Sequence, residues 1–186
     1  MKSESHTEIT TMKIDEVLQP ANPPIVFVDM DGVIADFAKG VQQKILPNWS
    51  EGMSDANKKM DREMWKGIFH YQKKGGFFWY DLDPMPDMQV LWNYVKQFNP
   101  QILTAAGNPE YNAGEQKHRW VAKHLGSNIT VHVVRRAVEK AQFATPGAIL
   151  IDDKRKALDP WEAAGGIGVH HVTAANSIAQ LKQLGL

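Results

Sequence analysis

Two kinds of hydrophobic pattern alternate along the chain. Continuous apolar, mostly β-branched runs occur at Ile25 to Asp29 (IVFVD), Gln101 to Thr104 (QILT), Ile129 to Val134 (ITVHVV) and Ala148 to Asp152 (AILID), with a weaker fifth run at Ile167 to His171. Runs without a polar face read as strands buried on both sides, as in a parallel sheet. Between them the apolar positions recur at helical spacing. Asp87 to Phe98 carries Val90, Leu91, Tyr94, Val95 and Phe98 on one stripe, and Glu115 to Leu125 carries Trp120, Val121 and Leu125. Asp159-Pro160 has the form of an N-cap with proline at the first helical position, and Gly165-Gly166 ends that helix. Ser177 to Leu184 closes the chain with Ile178, Leu181 and Leu184 on one face. Strands alternating with helices predict an α/β doubly wound fold.

One stretch breaks the alternation. Residues 37–80 show helices and turns but no strand: Met60, Met64, Trp65, Ile68 and Phe69 mark an amphipathic helix, and KKGGFFW a turn into aromatics. About 40 residues are too many for a simple connection between the first two sheet strands. They are expected to form a small helical cap inserted after strand one. Residues 23–36 and 81–186 then make the α/β core. Residues 1–22 are polar and are expected to be a flexible leader with one helical turn around Ile14 to Leu18, before Pro20, Pro23 and Pro24.

Composition narrows the function classes. The chain has 186 residues, 43% hydrophobic, enough for one domain with a real core. Its 21 basic and 21 acidic residues balance, which argues against a nucleic-acid-coating or membrane-surface protein. There is no cysteine, so disulfides, thiolate catalysis and zinc–cysteine sites are excluded, as suits a reducing cytoplasm. No apolar run approaches the ~20 residues of a membrane span.

The chemistry gathers at strand ends. FVDMDGVIADF puts Asp29 at the end of the first strand and Asp31 just beyond, followed by Gly32. Strand two ends in Thr104 and strand four in Asp152-Asp153, with Lys140 between strands three and four. In an open α/β sheet, ligands bind at the carboxyl ends of the strands. Four carboxylates at one edge repel unless a cation sits among them, and an all-oxygen set without His or Cys suits a hard ion, most simply Mg²⁺. Such an ion commonly shares its shell with a phosphate.

DMDGV, ILTA, a downstream lysine and ILIDD, in this order and strand context, resemble the four motifs of the haloacid dehalogenase (HAD) superfamily of phosphotransferases. VDMDGVIADF, GGFFWYDLDPMP, EQKHRWVAKHLG and LIDD…W resemble more closely the 5'(3')-deoxyribonucleotidases and their phage and bacterial relatives. The resemblance runs from Ile25 to about His171. It implies a HAD-like Rossmannoid three-layer fold with a five-stranded parallel sheet. It implies Asp29 as the nucleophile that becomes an aspartyl phosphate, and Asp31 as general acid and base that also gives its backbone carbonyl to Mg²⁺. Thr104 would bond a phosphate oxygen, and Lys140 would neutralise the phosphoryl group and Asp29. Asp29, Asp31, Asp152 and Asp153 would form the metal site, the second of the last pair being the more direct ligand. Phe37, Trp65, Phe77 and Phe78, with Thr104 and Lys140, would bind the substrate, a small phosphoester of the nucleoside monophosphate class. Family members commonly dimerise; no patch in the sequence argues for a homodimer. Two departures stand out: Ala105 replaces a hydroxyl residue common in the family, and the spacing from Lys140 to Asp152 is slightly longer. The latter favours a phage or bacterial type.

Blander readings compete at several positions. Asp36 reads as a helix N-cap, and Trp120, Trp161, Met60 and Met64 as packing residues. Phe77 and Phe78 are as well explained by cap core as by stacking. Lys117, Lys140 and Lys154 all stand in plausible places, and Lys140 is preferred because it falls between strands three and four. His170 and His171, adjacent on a strand, point to opposite faces and are read as non-catalytic. The sequence therefore predicts a Mg²⁺-dependent phosphomonoesterase. The alternatives are a related phosphatase for a sugar phosphate or a nucleic-acid 3'-phosphate, and a non-catalytic nucleotide-binding regulator.

Overall fold

The computed structural model describes residues 24–50 and 58–186. The predicted leader and its helical turn lie outside the described residues. Five parallel strands form one sheet: β1 (Val26–Val28), β2 (Gln101–Ala105), β3 (Val131–Val134), β4 (Ile149–Asp152) and β5 (Ile167–His170). Their order is β3-β2-β1-β4-β5, so β1 is central. Val28 pairs with Ile102 on one side and Ile151 on the other. The chain winds outward from β1 to β3, then crosses to β4. That reversal opens a crevice at the carboxyl ends of β1 and β4, where such folds bind ligands.

Both faces of the sheet are covered, because side chains alternate along each strand. Val26, Val28, Ile102, Ile149, Ile151 and Val169 face one layer, made by α3 (Met88–Val95), α4 (Ala113–His124) and α6 (Ala174–Gln183), which contribute Leu91, Val95, Trp120, Val121 and Leu181. Phe27, Leu103 and Leu150 face the other, made largely by α5 (Arg155–Ala163) through Ala157, Leu158 and Trp161. This is the three-layer α/β arrangement expected from the sequence.

Between β1 and α3 the named elements among the described residues are α1 (Phe37–Lys44) and α2 (Lys58–Lys73). Asp36 caps α1, its carboxylate accepting from the backbone N–H of Lys39 at 2.9 Å. Met64 and Ile68 are the buried residues of α2, in line with its amphipathic pattern.

One boundary differs from the sequence reading. The helix expected to start at Asp159-Pro160 begins at Arg155, and Pro160 stands inside it. The Lys154 carbonyl accepts from the N–H groups of both Ala157 and Leu158, which nucleates the turn early. Ala157, Leu158 and Trp161 then bury one continuous stripe, which outweighs the hydrogen bond that proline forfeits. The predicted end holds. Gly165 takes φ +91°, and the Gly166 N–H reaches the Trp161 carbonyl in a Schellman closure. Among the described residues no helix is long and apolar enough to cross a membrane.

Candidate active site

Asp29 continues β1 by one residue, its N–H donating to the Ile151 carbonyl at 2.9 Å. The chain then turns sharply, and the Met30 carbonyl accepts from Val33, Ile34 and Ala35. Gly32 makes the turn possible at φ +82°. A Cβ there would lie 2.6 Å from Asp153 Oδ2, so the glycine also admits the Asp153 carboxylate. Gly32→Ala should therefore cost about 1–2 kcal/mol of stability from backbone strain. It should also weaken divalent-cation binding by displacing Asp153. Calorimetric titration together with denaturant unfolding would measure both, and an alanine variant with unchanged cation affinity would contradict the packing argument.

Lys140 enters from a 3₁₀ segment, Ala137–Phe143, and is 1% exposed. Its Nζ lies 2.7 Å from Asp29 Oδ1 and 2.6 Å from Asp152 Oδ2. Burial opposes its charge, but the carboxylates of Asp29 and Asp152 outweigh burial and hold its pKa above the ordinary lysine value. Asp152 also accepts from the Lys154 N–H at 2.9 Å, and Lys154 Nζ is 3.1 Å from Asp153 Oδ2.

Oxygen atoms of Asp29, Asp152 and Asp153 lie within 4.8 Å of one another. Asp153 Oδ1 is buried and accepts no hydrogen bond. Burial, reinforced by the Asp29 charge, pushes the Asp153 carboxyl up to about 8 and the Asp152 carboxyl to about 6. The protein's own lysines thus leave these carboxylates short of positive charge. A hard divalent cation fits the vacant lone pairs and the all-oxygen donor set. The Asp31 side chain stands outside this triad.

Asp31 is held instead by Lys117, which is fully buried. Lys117 Nζ donates to Asp31 Oδ2 at 2.8 Å, Thr104 Oγ1 at 2.8 Å and the Ala105 carbonyl at 2.7 Å. The indole of Trp79 donates to the same Asp31 oxygen at 3.3 Å. Burial raises the Asp31 pKa, with Lys117 opposing. Lys140, preferred from the sequence, and Lys117 both line the cavity, Lys140 against Asp29 and Lys117 against Asp31. The signal for Lys117 lay in α4, whose buried positions are Ala113, Gln116, Lys117, Trp120 and Val121. A lysine on an apolar helix stripe needs a buried partner. Trp79 carried no signal distinguishing it from its aromatic neighbours.

Asp29, Asp31, Thr104, Lys117, Lys140, Asp152 and Asp153 open into one cavity of about 510 Å³. Phe37, Trp65 and Trp79 also line it, as do Arg135, Arg136, Lys154 and Lys156. Trp65 is backed by Tyr111, stacked at 5.5 Å and 22°. The remaining two aromatics do not reach the cavity. Phe78 is buried behind Phe37, ring edge to face at 5.5 Å. Phe77 is 47% exposed, with the Arg119 guanidinium 5.3 Å from its ring centre. Trp120 serves packing, its indole donating to the Leu82 carbonyl. His170 is exposed, while His171 is buried against Ser177, as alternation on a strand requires.

Comparisons with known proteins place the chain in a family. Residues 23–178 match the model of the family described as 5' nucleotidase, deoxy (pyrimidine), cytosolic type C protein (NT5C). The human cytosolic-type 5'(3')-deoxyribonucleotidase is 26% identical, over 69% of this chain and 70% of that protein. A protein of Vibrio phage KVP40, provisionally named as a 5'(3')-deoxyribonucleotidase, is also 26% identical, over 72% of this chain and 68% of its own length. A haloacid dehalogenase-like family hydrolase from Streptococcus pneumoniae shares the fold with a TM-score of 0.55 at 12% identity, covering 88% of this chain and 98% of that one. With the family match covering most of the chain, the protein belongs to the cytosolic type C 5'-deoxynucleotidase family, phosphoric monoester hydrolases on a HAD-like fold.

Proposed function

We propose that the protein is a Mg²⁺-dependent phosphatase of (deoxy)nucleoside monophosphates that works through an aspartyl phosphate on Asp29. The observation that carries this reading is the shared cavity: Asp29 over Lys140, Asp31 over Lys117, and an aromatic wall opposite. Asp29, Asp152 and Asp153, with the Asp31 backbone carbonyl, would hold Mg²⁺, which supplies positive charge to the phosphoryl oxygens. The Asp29 carboxylate attacks phosphorus while Asp31 protonates the leaving alkoxide; Asp31 then takes a proton from the water that hydrolyses the aspartyl phosphate. Lys140 offsets charge on Asp29 throughout. Thr104 is oriented by Lys117. An ammonium only donates, so the Thr104 hydroxyl must use Oγ1 as acceptor towards Lys117 and is left to donate its own proton into the cavity, towards a phosphoryl oxygen. Residues 37–80 act as a cap that supplies Phe37 and Trp65 to the base and sugar. The deciding experiment is a phosphate-release panel over ribo- and deoxynucleoside monophosphates, sugar phosphates and 3'-phosphorylated oligonucleotides, with and without Mg²⁺. Preference for the nucleotides, dependent on Mg²⁺, is expected; equal or better turnover of sugar phosphates would overturn the substrate assignment.

Base stacking contributes ~1–3 kcal/mol. Phe37→Ala and Trp65→Ala should therefore each raise KM for a nucleoside monophosphate by about tenfold, and much less for 4-nitrophenyl phosphate. Phe77→Ala should change neither, because Phe77 does not line the cavity. Equal KM increases on both substrates for Phe37 and Trp65 would reduce these rings to cap packing.

The metal site predicts a pH signature in stability. The folded-state pKa values of Asp152 (about 6) and Asp153 (about 8) lie above their unfolded value, so folding favours the protonated forms. That contribution is complete below the unfolded value of about 4 and is lost as pH rises through the two folded values. The metal-free protein should melt at progressively lower temperature from pH 4 to pH 8 on this account. Mg²⁺ binds the ionised carboxylates and should raise Tm more at pH 8 than at pH 5. An equal Mg²⁺ effect at both pH values would contradict a carboxylate-held cation.

A further inference from the structure

The cavity is charged in a way the whole chain is not. Basic and acidic residues balance over the sequence, yet six cationic side chains and four carboxylates line the cavity. Two of the cations, Lys117 and Lys140, are buried and committed to Asp31, Thr104, Asp29 and Asp152. The other four, Arg135, Arg136, Lys154 and Lys156, are exposed at the rim. Lys154 faces Asp153, and Arg136 pairs with Glu139 at 2.8 Å. The side chains of Arg135 and Lys156 make no hydrogen bond or ion pair among the described residues.

Both are nonetheless held in place by the backbone. The Arg135 carbonyl accepts from the Gly107 N–H at 2.9 Å, and its N–H donates to Glu139 Oε2 at 3.1 Å. Gly107 lies just past Thr104, so Arg135 is tethered beside the strand end that carries that hydroxyl. Lys156 stands in the first turn of α5, which has Lys154 at its N-cap and no acidic residue in that turn. Cations are disfavoured at that end of a helix. Arg155 is compensated by Asp159 and Glu162, whereas Lys156 is not. The local sequence gives up stability to keep positive charge at this rim, as functional sites do.

We propose that Arg135 and Lys156, flanked by Arg136 and Lys154, bind a second phosphate group of the substrate, which makes a nucleoside 3',5'-bisphosphate the preferred nucleotide. The proposal rests on the nucleotide phosphatase reading above and names its substrate class. On a nucleotide the base and the two phosphates leave the sugar at different carbons. With the base on Phe37 and Trp65 and one phosphate at Asp29, the other is left to the core side of the mouth, where Arg135 and Lys156 stand. Arginine suits that role, because its planar fork matches phosphate oxygens. One ester bond is hydrolysed: the oxygen of water ends on the released phosphate, and the sugar oxygen takes a proton. The second phosphate stays on the sugar, so the product is a nucleoside monophosphate. A terminal phosphate carries more charge than a phosphodiester, and the balanced chain offers no general attraction for a polynucleotide. A free bisphosphate is therefore favoured over a strand end.

The test is calorimetric binding to the Asp29→Asn variant in Mg²⁺, which holds ligands without turnover. Thymidine 3',5'-bisphosphate should bind at least about tenfold tighter than thymidine 5'-monophosphate or 3'-monophosphate, on the scale of charge-assisted bonds to phosphate. The advantage should shrink as salt rises from about 50 to about 500 mM, because exposed charges are screened. Adding Arg135→Gln and Lys156→Gln together should reduce the advantage to about twofold or less, with monophosphate affinity nearly unchanged. Thermal melts check that the variants fold. Equal affinities for bisphosphate and monophosphates, an advantage that survives the double substitution, or tighter binding of the 5'-phosphorylated dinucleotide pTpT than of the bisphosphate would overturn the proposal. Failure of the underlying reading looks different: with Asp29 intact, the enzyme would turn over sugar phosphates as well as it does any of the thymidine nucleotides.

Discussion

Asp29→Asn should lower phosphate release on the order of 10⁴-fold or more, the scale on which removal of a nucleophile disables an enzyme. The amide keeps the shape of the side chain and cannot form an acyl phosphate. What distinguishes this from general damage is stability. Asp29 sits beside Asp152 and Asp153, and its charge helps push both carboxyls upward. Neutralising it removes repulsion inside the cluster while Lys140 keeps its contact with Asp152 at 2.6 Å. The metal-free variant should therefore melt no lower than the parent, even as turnover disappears. Steady-state assays with a nucleoside monophosphate and with 4-nitrophenyl phosphate, run beside a thermal melt, would test both halves. Turnover near the parent rate would end the nucleophile assignment.

Lys140→Met should cost both activity and stability. Its ammonium lies 2.7 Å from Asp29 Oδ1, and it binds Asp152 as well. Removing a preorganised charge from the reacting centre costs about 10²–10³ in kcat. Removing one partner of a buried ion pair costs roughly 3–5 kcal/mol, because the remaining charge stays desolvated. Here Asp152 has an escape by protonation, since its carboxyl is already pushed up to about 6. The stability loss should therefore be larger at pH 8 than at pH 5, and Mg²⁺ should restore part of the stability without restoring turnover. Denaturant unfolding at the two pH values, with kcat measured alongside, reads the effect. A variant that retains most of its turnover would leave Lys117 as the operative cation.

Much of this was legible in the sequence, for physical reasons. A parallel sheet covered on both faces needs apolar residues at every strand position, so the five runs stand out without knowledge of pairing. Asp29, Thr104 and Asp152 could be placed because each closes such a run, and strand ends are where this fold binds ligands. Long-range contacts were less legible. Lys117 lies 86 positions from the Asp31 it holds, and only its place on the buried stripe of α4 hinted at a partner. Phe77 and Phe78 were indistinguishable in sequence, yet the turn exposes one and buries the other. The start of α5 was misread because Asp-Pro is a strong local cap signal, while the stripe of Ala157, Leu158 and Trp161 is a tertiary one.

The proposed mechanism requires the phosphoryl group to pass through Asp29. The most direct measurement is to quench the enzyme with acid during turnover of a nucleoside monophosphate in Mg²⁺, reduce with borohydride, and sequence the peptides by mass spectrometry. An acyl phosphate is reduced to an alcohol, so residue 29 should appear as homoserine, with Asp31, Asp152 and Asp153 unchanged. Reduction at another carboxylate, or none during active turnover, would contradict the account.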